Sequence, residues 1–139
     1  MNWLINFILS AGGNKIRKFG SIDPEPHELT VGIHVIYDYG SSIELSTNEI
    51  SDNSIRDTIL SLDWQSGFYQ VICTLHPGQT MEVGGSLNGI DGLSASYRNR
   101  SENIELVTNL PPESTNEMIE ILSLFINNNL SWKSKFQFE

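Results

Sequence analysis

The stretch Phe68-Tyr69-Gln70-Val71-Ile72-Cys73-Thr74-Leu75 leaves the chain little choice but a β-strand. It is dense in β-branched and aromatic side chains, which fit a pleated surface. Tyr69, Val71, Cys73 and Leu75 fall on one face at period two, and Phe68, Gln70, Ile72 and Thr74 on the other. His76-Pro77-Gly78-Gln79 then forces a turn. Residues 80–86, 93–98 and 103–108 read as further strands, with Asn88-Gly89-Ile90-Asp91-Gly92 turning the chain between the first two. Successive strands joined by short turns predict an antiparallel meander.

Upstream, Leu29, Val31, Ile33, Val35 and Tyr37 alternate with Thr30, Gly32, His34 and Asp38, which predicts another strand. Tyr39-Gly40-Ser41-Ser42 turns it into Ile43-Glu44-Leu45-Ser46, so the pair is expected to form a hairpin. Ser51 or Asp52 can cap a helix whose apolar face is Ile55, Ile59 and Leu62. Pro111-Pro112 stops the sheet, and Ser114-Thr115-Asn116-Glu117 has the spacing of a capping box. Met118, Ile121, Leu122, Phe125 and Ile126 then make a broad stripe that should lie across the sheet. Trp132, Phe136 and Phe138 are too aromatic for a free end and are expected to pack as well.

The expected class is α+β: an antiparallel meander of about five to six strands, a C-terminal helix and a shorter helix packed against it. A chain of 139 residues fits a single domain spanning 1–139. Residues 1–28 form an N-terminal helix or extension, broken from the rest at Asp23-Pro24-Glu25-Pro26. The apolar run Trp3-Leu4-Ile5-Asn6-Phe7-Ile8-Leu9 has no basic residue before it and no small-residue cleavage site after it. It is also far shorter than the ~20 residues of a membrane span, so it is expected to dock on the domain as a helix or strand.

Charge limits the partners. Seventeen acidic residues oppose eight basic ones, a net −9, and between Phe19 and Tyr97 eleven acids face Arg56 alone. Nucleic acid and anionic membrane both demand the opposite field, so neither is an expected partner. A basic protein would be steered toward such a surface. The lone Cys73 has no internal bridging partner, which favours a reducing compartment and a cytoplasmic location.

Catalytic and metal patterns are missing from the sequence. His27, His34 and His76 are not at ligand spacing from one another, and Cys73 shares its strand face with Val71 and Leu75 as a small core hydrophobe would. Val83-Gly84-Gly85-Ser86-Leu87-Asn88-Gly89 lacks the lysine and following helix of a phosphate loop, and glycines there fit a bulge or a close backbone approach. No cofactor, metal or enzymatic activity is therefore expected. The strongest binding cluster combines carboxylates with an aromatic anchor: Asp52, Asp57, Asp63 and Trp64 on the first long helix and its exit, with Glu82 and Asp91 on the strands and turn beyond. The same residues equally describe a Trp64 packed on the core edge among solvated carboxylates.

The runs Met81-Glu82-Val83-Gly84-Gly85-Ser86, Asp91-Gly92-Leu93-Ser94-Ala95-Ser96-Tyr97 and Leu110-Pro111-Pro112-Glu113-Ser114, with the helix over 118–126 and the Trp132 tail, are similar to immunity proteins of bacterial polymorphic toxin systems, including the contact-dependent growth inhibition type. The resemblance covers roughly residues 43–138. It implies a cytosolic protein that binds and neutralises one cognate toxin domain, often a nuclease, and it carries over no functional residue. The alternative is a small acidic chaperone of a secretion system that holds an effector segment before export.

Overall fold

Among the described residues, the meander beginning in the Phe68 region forms the middle of a seven-stranded antiparallel sheet. The computed structural model describes residues 16, 17 and 23–139, so the expected docking segment around Trp3 and Leu9 lies outside it. The strands are β1 (Ile16–Arg17), β2 (Gly32–Tyr37), β3 (Ser42–Thr47), β4 (Tyr69–His76), β5 (Gln79–Gly85), β6 (Leu93–Asn99) and β7 (Ile104–Val107). Their order is β1-β7-β6-β5-β4-β2-β3. The helices are α1 (Pro26–Leu29), α2 (Asp52–Leu60), α3 (Thr115–Ile126) and α4 (Ser131–Lys135), so the class is α+β as expected.

Register explains the core. Ile33 pairs with Cys73, Cys73 with Met81, Met81 with Tyr97 and Tyr97 with Leu106, a line of side chains crossing five strands on one face. Val35, Val71, Val83 and Ala95 make the neighbouring line. Against these lines pack Ile55 and Ile59 of α2 and Met118, Ile121, Leu122 and Phe125 of α3, all buried. Each such apolar side chain contributes about 1.5–3 kcal/mol by leaving water. α2 also solves a connection: β3 lies outside β2, and the helix carries the chain back over the sheet to β4 on the other side of β2.

The strand expected to begin at Leu29 begins at Gly32 instead. Residues Pro26–Leu29 are a helical turn, because Pro26 presets the first helical position and the Glu25 and Glu28 side chains close a capping box. Leu29 and Val31 are consequently exposed rather than part of the core. Ser51 and Ser114 cap α2 and α3 as expected, each accepting from the backbone three residues on. The box at α3 is not reciprocal, since Glu117 Oε1 accepts from the Glu113 backbone N–H at 2.7 Å rather than from Ser114.

Gly84 and Gly85 mark a close approach. A Cβ on Gly84 would lie 2.6 Å from the Tyr69 carbonyl oxygen, and one on Gly85 (φ +123°) only 2.1 Å from that of Gly92. The aromatic tail packs as the sequence implied, with Trp132, Phe136 and Phe138 all buried. It also closes an edge: Val107 and Glu139 exchange backbone bonds of 2.9 and 3.0 Å, and Asn109 N donates to Gln137 O at 2.9 Å. β1 covers the neighbouring part of β7, at Glu105 and Leu106.

Cys73 is fully buried, and burial pushes its thiol up to about 12. Native protein should therefore react slowly with a thiol reagent and rapidly once unfolded. Cys73→Ala should lower unfolding free energy by about 1–2 kcal/mol in a denaturant titration. Fast native labelling would contradict this placement.

Candidate functional site

The six residues singled out from sequence are divided by the fold. Asp52 and Asp57 are exposed on α2, the first accepting a 3.0 Å bond from Asn127 Nδ2 at the end of α3. Asp63 is exposed beyond the helix and accepts from the backbone of Gln65 and Ser66, both at 3.2 Å. By the helical rise, the helix carries the chain about 12 Å along its axis from Asp52 to Leu60, and Asp63 lies beyond that end. Asp91 is exposed in the β5–β6 loop. That loop is tied to the exit of α2: Leu87 N and Ser86 Oγ donate to Trp64 O, and Asn88 Nδ2 donates to Gln65 O at 2.6 Å. Asp63 and Asp91 therefore decorate one end of the domain.

Trp64 and Glu82 do not join that surface. Trp64 is 3% exposed, with its indole Nε1 donating to Ile59 O at 2.8 Å and its ring edge-on to Tyr69. It anchors the loop from inside and offers a partner almost nothing. Glu82 is buried on the sheet face opposite α2 and α3, in register with Ile72 and Ser96.

That opposite face holds a charged network that sequence reasoning missed. Glu28, held by its capping bond to Glu25 N at 2.6 Å, receives Arg100 through Nη2 at 2.9 and 3.0 Å and Nε at 3.1 Å. Arg98 Nη1 lies 3.8 Å from Glu28, while its Nε donates to Glu105 Oε2 at 2.6 Å. Gln70 Nε2 donates to Glu82 Oε2 at 3.3 Å. Thr74 Oγ1 donates to His27 O at 2.7 Å, fixing α1 over this face. The sequence held one usable signal: period two puts Arg98 on the same strand face as Ser94 and Ser96. Only the β6–β7 register, which pairs Arg98 with Glu105, supplies its partner.

Electrostatics follow from burial. Desolvation pushes the Glu82 carboxyl up to about 7, against the pull of Arg98 and the Gln70 bond, with Glu105 and Glu28 adding repulsion. Burial likewise lowers His27, whose ring centroid is 5.9 Å from that of His34. His34 Nε2 is bonded to Thr30 O at 2.8 Å, and among the described residues no three potential metal ligands converge. Nor is any described helix long and apolar enough to cross a membrane.

The outer surface is left with the opposite character. Arg98 and Arg100 turn inward, and Lys135 pairs with Glu120. Asp38, Glu44, Glu49, Asp52, Asp57 and Asp63, by contrast, are all exposed along β3, α2 and their flanking loops. Arg56 is the one basic residue in that stretch. No family model matches the chain, and neither a curated protein nor a solved structure matches it.

Glu82 gives a measurable pH signature. Its folded pKa lies above the ordinary 4.5, so the folded state holds the proton more tightly than the unfolded one. Its contribution therefore becomes less favourable as pH rises from about 4.5 to about 7, by up to ~3 kcal/mol. Glu82→Gln should stabilise the domain above neutrality and flatten this part of the stability–pH curve. An unchanged curve in the variant would contradict a buried, proton-retaining carboxyl.

Proposed function

We propose that this chain binds a basic protein domain and neutralises it, in the manner of immunity proteins toward their toxins. The observation that carries the reading is the segregation of charge. The arginines of β6 and its following turn are consumed inside, by Glu28 and Glu105, so they do not dilute the acidic exterior of β3 and α2. A basic partner, such as a nuclease whose active face must attract phosphate, would be steered toward that exterior and would find few like charges there. Covering that face would also hide it from nucleic acid.

The likeness of residues 43–138 to toxin-immunity proteins adds the biological context, a cognate toxin as the partner. Contacts would come from Asp52, Asp57, Asp63 and Asp91. Trp64 supports them from the core, so Trp64→Ala should act on folding, at about 3–5 kcal/mol, before it acts on an interface.

Co-expression with the polypeptide encoded immediately upstream is the direct test. Rescued growth and a 1:1 complex on a sizing column are expected. Death despite soluble protein, with no complex, would refute the reading. Within such a complex, added salt should slow association more than it speeds dissociation, because exposed charges are screened over ~8 Å at physiological ionic strength. Reversing Glu49 and Asp57 to lysine should lower the on-rate about tenfold without unfolding the chain.

A further inference from the structure

We propose that the outer edge of β3 is the docking line for an extended basic segment of that partner, added to the sheet as a further strand; this rests on the basic-partner reading above. β3 ends the strand order, and Ser42, Ile43, Glu44, Leu45 and Ser46 are all exposed. Among the described residues its outward backbone groups form an unfilled ladder. The contrast with the other side of the sheet is informative. There the outer edge of β7 is covered both by β1 and by the C-terminal tail. β3 carries no proline or lysine, the residues that commonly deter edge pairing.

Register specifies what would fit. Ile43 pairs with Ile36 and Leu45 with His34, which places both on the face away from α2 and α3, each 47% exposed. Glu44 pairs with Val35 on the helix face, where its carboxylate accepts from Tyr37 Oη at 2.7 Å. On that same face Ser46 Oγ lies 3.5 Å from Thr58 Oγ1, which sets α2 and its neighbouring Asp57 beside the edge. An incoming strand thus meets apolar side chains on one face and carboxylates on the other. The complementary segment alternates apolar residues with lysine or arginine.

A second copy of the chain fits poorly. Two β3 edges related by a two-fold axis would bring Glu44 and its counterpart close together, on molecules each carrying −9.

The test uses the full chain and two blocked synthetic peptides, one alternating valine and lysine, the other identical but N-methylated at alternate residues. The unmodified peptide should slow amide exchange at Ser42–Thr47. N-methylation, which keeps the charge but removes the bonding edge, should weaken binding by about tenfold or more. Glu44→Lys, confirmed folded by circular dichroism, should weaken the unmodified peptide similarly. Equal binding of both peptides, or protection confined to α2, overturns strand addition while the basic-partner reading is judged by co-expression. So does an unmodified peptide that leaves β3 exchange unchanged.

Discussion

Glu28 is the residue on which the charge arrangement turns. Its carboxylate closes the cap of α1, accepts from Nε and Nη2 of Arg100 and lies within reach of Arg98. Removing one member of such a cluster would leave the others desolvated and unpaired, which is far costlier than losing a surface ion pair. The arrangement fixes the entry of β2 and pins the start of the β6–β7 turn, and Glu82 lies beside it, where desolvation raises its carboxyl to about 7 against the pull of Arg98. It also removes two cations from a surface that has few.

The sheet is correspondingly asymmetric. One face is an apolar floor for α2 and α3, and the other is polar, with Gln70, Thr74, Thr80, Glu82 and Ser96 buried across its centre. Its edges differ as well. β7 is covered by backbone bonds from both β1 and the C-terminal tail, whereas among the described residues β3 is open and flanked by carboxylates. An open edge is normally blunted; under the proposed reading, charge repulsion would discourage pairing between copies while a basic strand could still add.

Much of the fold was legible because local signals agreed. The Phe68–Leu75 alternation, the turn at Pro77-Gly78 and the two serine caps each act within a few residues; the caps appear where the sequence placed them and the strand one residue further on, at Tyr69–His76. The start of β2 was misread because Leu29 and Val31 mimic strand alternation, while Pro26 and the Glu25–Glu28 box decide the backbone locally for helix. The site was less legible. Trp64 could be read as an interface anchor or as packed on the core edge, and the second holds: its indole finds a carbonyl inside the domain at Ile59. Glu82 looked like surface acid because β5 alternation does not say whether the second face of a sheet is covered. Glu28 and Arg100 are 72 residues apart, and no local pattern links them.

The central claim is that internally paired arginines leave the β3–α2 side as the partner-binding surface. Hydrogen exchange on the complex recovered from co-expression, compared with the free chain, tests it most directly. Protection concentrated in residues 42–63, with the tail and α3 unchanged, is the predicted result. Protection centred instead on α3 and the 131–139 tail, with β3 and α2 exchanging as in the free protein, would contradict it.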